Sequence, residues 1–123
     1  MERVLVTGAT GFIALHCIQQ LLDKGYQVRG TLRSKNRKNE VREAMQKHAS
    51  NPDNLELVIT DLLIDDGWEE AVKDCKYVLH VASPFILEAP DHEDDLIKPA
   101  VEGTLRVLKA CKVNQVEKVV LTS

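Results

Sequence analysis

The 123 residues contain no apolar run approaching the roughly 20 needed to cross a bilayer as a helix. No secretory pattern precedes the first apolar segment, which begins at Val4. Cysteine is scarce: Cys17, Cys75 and Cys111 are widely separated, odd in number and form no C-x-x-C pair. Such a set excludes a disulfide framework and a cysteine metal site, and predicts reduced, buried thiols in a cytoplasmic protein. Positive charge is not in excess either. The formal net charge is −3, which argues against a general nucleic-acid surface. The acidic run Asp91, Glu93, Asp94 and Asp95 surrounds His92, but no further ligand stands at metal-binding spacing. It reads as the solvated start of a helix, where carboxylates suit the helix dipole, and no metal is predicted.

What is present fits one soluble globular domain over residues 1–123. Hydrophobic residues make up 44% of the chain and charged residues 28%, and the length is enough for a core. Strand and helix patterns alternate throughout. Val4–Val6, Tyr26–Leu32, Leu55–Ile59, Tyr77–Val81 and Lys118–Thr122 read as strands. Phe12 to about Lys24 reads as a helix with Ile13, Cys17, Ile18, Leu21 and Leu22 as its apolar stripe and Gly25 as its C-cap. Glu40 to His48, Asp66 to about Val72 and Asp91 to about Cys111 read as three more helices. Pro99 is expected to kink or restart the last of them. Ser34 to Lys38 reads as a polar, basic loop, and residues 50–54 as a turn cluster. No linker, low-complexity tract or internal repeat interrupts the alternation. Right-handed crossovers between such units build a parallel sheet covered on both faces, a Rossmann-type doubly wound α/β fold with strand order 3-2-1-4-5.

The first strand runs into Thr7-Gly8-Ala9-Thr10-Gly11-Phe12-Ile13-Ala14. Two glycines alone signal only a turn; between a strand and a helix they signal more. Gly8 suits a tight reversal, and Gly11 lets a diphosphate approach the backbone. Ala14 fills a third small position, where the helix packs on the strand. Amide groups at such a turn can hold a pyrophosphate.

The end of the second strand reports which nucleotide is expected. A fold selective for NAD places a carboxylate there, about 20 residues past the turn, on the ribose 2′-hydroxyl. This segment reads Val28-Arg29-Gly30-Thr31-Leu32-Arg33-Ser34-Lys35-Asn36-Arg37-Lys38 and holds no carboxylate. Arg33 stands where the acid would be, and Arg37 lies one turn further on. A guanidinium fork matches a 2′-phosphate, whereas Lys35 and Lys38 read as ordinary solvated cations. Asp61, after the third strand, can accept a hydrogen bond from an adenine amino group or can cap a turn. Val81, Ala82 and Ser83 are small enough to let backbone approach the middle of a cofactor, and Pro84 stiffens the loop behind them. His80, inside a strand, reads as a packed core histidine rather than a catalyst.

These blocks, with Lys98-Pro99-Ala100-Val101-Glu102-Gly103-Thr104 and Val119-Val120-Leu121-Thr122-Ser123, occur in one order along the whole chain. Together they resemble the extended short-chain dehydrogenase/reductases, in the branch of plant dihydroflavonol reductases and fungal methylglyoxal and aldehyde reductases. The resemblance implies NADP(H) bound across the strand ends. Thr7, Gly8, Thr10, Gly11, Phe12 and Ile13 would then form the pyrophosphate turn. Arg33 and Arg37 would hold the 2′-phosphate, Asp61 and Leu62 would flank adenine, and Val81, Ala82 and Ser83 would pass the inner ribose. It also implies hydride transfer between NADPH and a small-molecule carbonyl.

The catalytic set of that family is a serine, a tyrosine and a lysine. Thr122 and Ser123 match the first two letters of the family's Thr-Ser-Ser, and the catalytic serine would be the next residue. Tyr26 and Tyr77 have no lysine four positions on. No catalytic residue is therefore assigned. The expectation is a piece of a longer reductase; the alternative is a short protein that binds NADP(H) as a sensor or interaction domain. An uncovered fifth strand further predicts self-association along that sheet edge.

Overall fold

The computed structural model describes residues 2–61, 67–81 and 94–121, with the backbone alone of 94–100. The chain alternates β1 (Arg3–Val6), α1 (Phe12–Asp23), β2 (Gln27–Leu32), α2 (Lys38–His48), β3 (Leu55–Ile59), α3 (Trp68–Val72), β4 (Tyr77–His80), α4 (Asp94–Val113) and β5 (Lys118–Leu121). The strands form one parallel sheet in the order β3-β2-β1-β4-β5, as the pattern predicts.

Alternation along β1 divides the core. Val4 and Val6 face one layer with Ala14, Ile18 and Leu22 of α1 and Val41 and Met45 of α2. Leu5 faces the other with Trp68, Ala71 and Val72 of α3, Val78 of β4 and Val107, Ala110 and Cys111 of α4. Both sides of β1 are therefore apolar, as a central strand of a doubly covered parallel sheet requires.

Several boundaries move, each for a local reason. Tyr26 leaves the second strand because its amide donates to Leu21 O (3.1 Å) and closes α1. The C-cap of α1 is Lys24, and Gly25 follows it. Val81 leaves the fourth strand because its amide donates to Thr7 Oγ1 (2.9 Å). The basic loop contains a single 3-10 turn, Lys35–Arg37, that leads directly into α2. Helix α4 runs as one element through Pro99, without a restart. That proline lies near the helix start, where losing one amide donor leaves later turns intact. Residues 91–93, with Asp66, Leu62, residues 82–85 and 122–123, lie outside the described residues.

The apolar stripe of α1 also differs. It runs through Ala14, Ile18 and Leu22, with Leu15 and Leu21 half-buried beside it. Ile13 and Cys17 lie one position off this row, about 100° round the helix. Ile13 is accordingly 59% exposed and Cys17 only half-buried. Cys75 and Cys111 are buried free thiols; desolvation pushes both up, Cys111 to about 11.

One buried charge escapes a hydrophobicity reading. Arg29 of β2 lies 9% exposed beneath α3. Its Nη1 donates to Ala71 O (2.7 Å) and Lys73 O (2.8 Å), and its Nε to Glu56 Oε2 (3.1 Å). The guanidinium satisfies carbonyls at the end of a five-residue helix that is too short to be stable alone, and this is how α3 is fastened to the sheet. Among the described residues β5 pairs only with β4, and its Val120 and Leu121 stand 46% and 51% exposed. No described helix is long and apolar enough to cross a membrane.

Candidate functional site

In a parallel sheet every strand ends on the same side, so the turns after β1, β2, β3 and β4 share one rim of the molecule. The rim carries Thr7 to Ile13 and Val81 at the point where the strand order reverses from β1 to β4, with Arg33 and Asp61 further along it, after β2 and β3. Of the predicted site residues, Leu62, Ala82 and Ser83 lie outside the described residues.

The β1–α1 turn is clamped from both neighbours. On the β2 side, Gly8 N–H donates to Thr31 Oγ1 (3.2 Å) and Ala9 N–H to Thr31 O (2.7 Å). On the β4 side, Thr7 N–H donates to Leu79 O (3.1 Å), and Thr7 Oγ1 receives the Val81 amide. Gly8 has φ 71°, a left-handed conformation that costs other residues dearly. Ala14 is fully buried where α1 crosses the sheet, as its small size requires.

Gly11 is different. Its φ of −74° and ψ of 153° suit any residue. Among the described residues, a Cβ built on it would meet only Gly8 O, at an ordinary 3.4 Å. Neither conformation nor internal packing therefore explains the glycine; it leaves outward space. The first intrahelical bond of α1 is Leu15 N–H to Gly11 O (2.9 Å), and no side chain caps the helix. The amides of Phe12, Ile13 and Ala14 thus have no acceptor within the helix and carry its positive dipole end. Phe12 stands 77% exposed, with its ring edge-on to His16 at 4.6 Å. Open space, donor amides and apolar walls together suit an anionic group carried on an organic body.

The basic segment after β2 divides into unequal partners. Arg33 is exposed and makes no ion pair among the described residues. Arg37 is held by Glu40, with Nε at 2.9 Å from Oε2 and Nη2 at 3.2 Å from Oε1. The pairing raises the arginine and lowers the carboxyl. Across the rim, the backbone carbonyl of half-buried Asp61 accepts the Trp68 indole N–H (3.0 Å), which fixes the chain after β3.

His80 is a core residue, as its strand position suggests, but a connected one. Its Nδ1 lies 2.9 Å from Thr7 Oγ1 and its Nε2 3.3 Å from Thr104 Oγ1 of α4. Neither threonine was singled out by motif reasoning as a histidine partner. The only signal was a polar side chain in an apolar strand, which must find partners when buried. A separate pocket of about 290 Å³ between α3 and α4 is floored by Leu105 and Ala110 and rimmed by Glu69, Glu102, Arg106 and Lys109. None of these residues belongs to the strand-end rim.

The chain matches the model of the NAD dependent epimerase/dehydratase family over residues 4–123. It is 39% identical over 123 residues to a bifunctional dihydroflavonol 4-reductase/flavanone 4-reductase of Malus domestica, covering 99% of this chain and 35% of that one. It superposes on Gre2 of Candida albicans in complex with NADPH with a TM-score of 0.84 and 40% identity, covering 100% of this chain and 37% of that one. For the yeast methylglyoxal/isovaleraldehyde reductase Gre2 complexed with NADPH, the values are 0.82 and 36%, over 98% and 36% of the two chains. The chain thus spans about a third of the length of the relatives it matches.

Burial of His80 disfavours its charged form and holds its pKa below the ordinary 6.5. Below pH 6.5 the unfolded chain therefore takes up a proton that the folded chain resists, so stability falls as pH drops. Denaturant unfolding from pH 7.5 to 5 should show this loss, and His80→Gln should show a smaller one. Equal slopes in the two proteins would contradict it.

Proposed function

This chain belongs to the NAD dependent epimerase/dehydratase family, and on that premise we propose that it is the cofactor-binding part of an NADPH-dependent carbonyl reductase. One observation carries the reading. Gly11 is a glycine that neither backbone geometry nor packing requires, at the uncapped start of α1, and this suits a bound pyrophosphate. The left-handed Gly8, the open space at Gly11 and the unbonded amides at the start of α1 support this assignment. Amides of Phe12 and Ile13 would receive the diphosphate beside Gly8, Thr10 and Gly11, and Thr7 would hold the turn from below. Arg33 would take the 2′-phosphate, with Arg37 as a second cation. Asp61 and Leu62 would border adenine, and Val81, Ala82 and Ser83 the inner ribose. The NADPH complexes of the two Gre2 structures support this choice of nucleotide.

Bound there, the cofactor supplies a hydride, which reduces a carbonyl to an alcohol. The part assigned to this chain is orientation: the clamped turn fixes the diphosphate, and the strand ends carry the rest of the cofactor along the rim. We assign proton transfer to none of its residues. Tyr26 is followed four positions later by Gly30 and Tyr77 by Val81, so neither offers a tyrosine–lysine pair.

Self-association belongs to the same proposal. Among the described residues no strand pairs with the outer edge of β5, and Val120 and Leu121 are exposed there. Sedimentation velocity should show dimers or larger species growing with concentration; a monomer throughout would contradict this.

Calorimetric titration with NADPH and NADH tests the cofactor assignment. NADPH should bind more tightly. Arg33→Ala should weaken NADPH by about tenfold, the scale of a charge-assisted contact, and leave NADH unchanged. Equal affinity for the two nucleotides, or an unaltered NADPH affinity in Arg33→Ala, would overturn it.

A further inference from the structure

We infer that Glu40 is a specificity-determining residue: it competes intramolecularly for Arg37, leaving Arg33 as the main reader of a 2′-phosphate and limiting the preference for NADPH over NADH. This rests on the cofactor reading above.

The argument starts from how the charges are arranged. Segment 33–38 carries four cations, Arg33, Lys35, Arg37 and Lys38. Of these four, only Arg37 is ion-paired to a described residue. Its fork with Glu40 uses the Nε proton, one Nη2 proton and both carboxylate oxygens. The spacing is i,i+3 across the start of α2, and Glu40 lies in the first helical turn, where the dipole also favours it. Glu40 is thus held by two independent attractions in the position that neutralises Arg37.

A phosphate monoester carries a charge of about −1.5 to −2 at pH 7, more than a carboxylate. It can draw Arg37 away, but it must break the fork and then sit near the Glu40 charge. Both effects oppose a nucleotide with a 2′-phosphate. Neither acts on one with a free 2′-hydroxyl, which presents no charge to this segment. The pair is solvent-exposed, with side chains 50% and 60% accessible, so the effect is modest and screened by salt.

Titrations of the full chain at low salt test the inference. Glu40→Gln should tighten NADPH by about two- to fivefold, the range of an exposed charge pair, with NADH unchanged. Arg37→Ala should cost NADPH little in the native background and more in Glu40→Gln, because the two side chains are coupled. Raising the salt should shrink the difference. Weaker NADPH binding in Glu40→Gln with NADH unchanged would mean that the carboxylate orients Arg37 instead, and would overturn the inference. So would no change, or parallel changes for both nucleotides, as loss of fold would produce. Arg33→Ala separates this failure from failure of the cofactor reading: if it spares NADPH, the reading itself falls.

Discussion

The site depends on a turn that is fixed before any ligand arrives. Thr31 takes the amides of Gly8 and Ala9 from one side. Thr7 takes the amide of Val81 and contacts His80 on the other. Two threonines, Thr31 on β2 and Thr7 directly after β1, thus tie the Gly-rich loop between β2 and β4. Ordering such a loop on binding would cost conformational entropy residue by residue. Here that cost falls on folding, and the free amides of α1 are already aimed outward.

The same clamp couples the site to the core. His80 joins the turn to α4 through Thr104, while Thr7 directly follows β1, the central strand of the sheet. Beneath the sheet, Arg29 fastens α3 to β2, and the Trp68 side chain of α3 in turn fixes the backbone of Asp61. A buried polar group on one face therefore helps place a rim residue just after β3. The rim is built from loops, and those after β1 and β3 are each held by a hydrogen bond to a neighbouring strand or helix.

The chain order of elements was legible because its signals are local. Val4–Val6, Leu55–Ile59 and the Gly-rich turn announce themselves within a few residues, and the parallel order follows from the crossovers they require. Gly8 and Ala14 were legible for the same reason. The rest was not, because it depends on residues far apart in sequence. Thr7 and His80 are separated by 73 positions, and Arg29 and Ala71 by 42. On α1, Ile18, Leu21 and Leu22 were legible as core-facing but Ile13 and Cys17 were not, since Ile13 and Ile18 are equally apolar and only the angle to the sheet distinguishes them. Arg37 reads from sequence as a second phosphate ligand beside Arg33, because motif position does not show that Glu40, three residues on, already occupies its fork.

The central claim is that the uncapped start of α1 is where a pyrophosphate is held. Amide chemical-shift mapping during titration with NADPH tests it most directly. The largest changes should fall on Thr10, Phe12 and Ile13, with Arg33 and Asp61 next, while the hydrogen-bonded amides of Gly8 and Ala9 move less. Changes centred instead on Leu105, Arg106 and Lys109, at the α3–α4 pocket, would contradict the account.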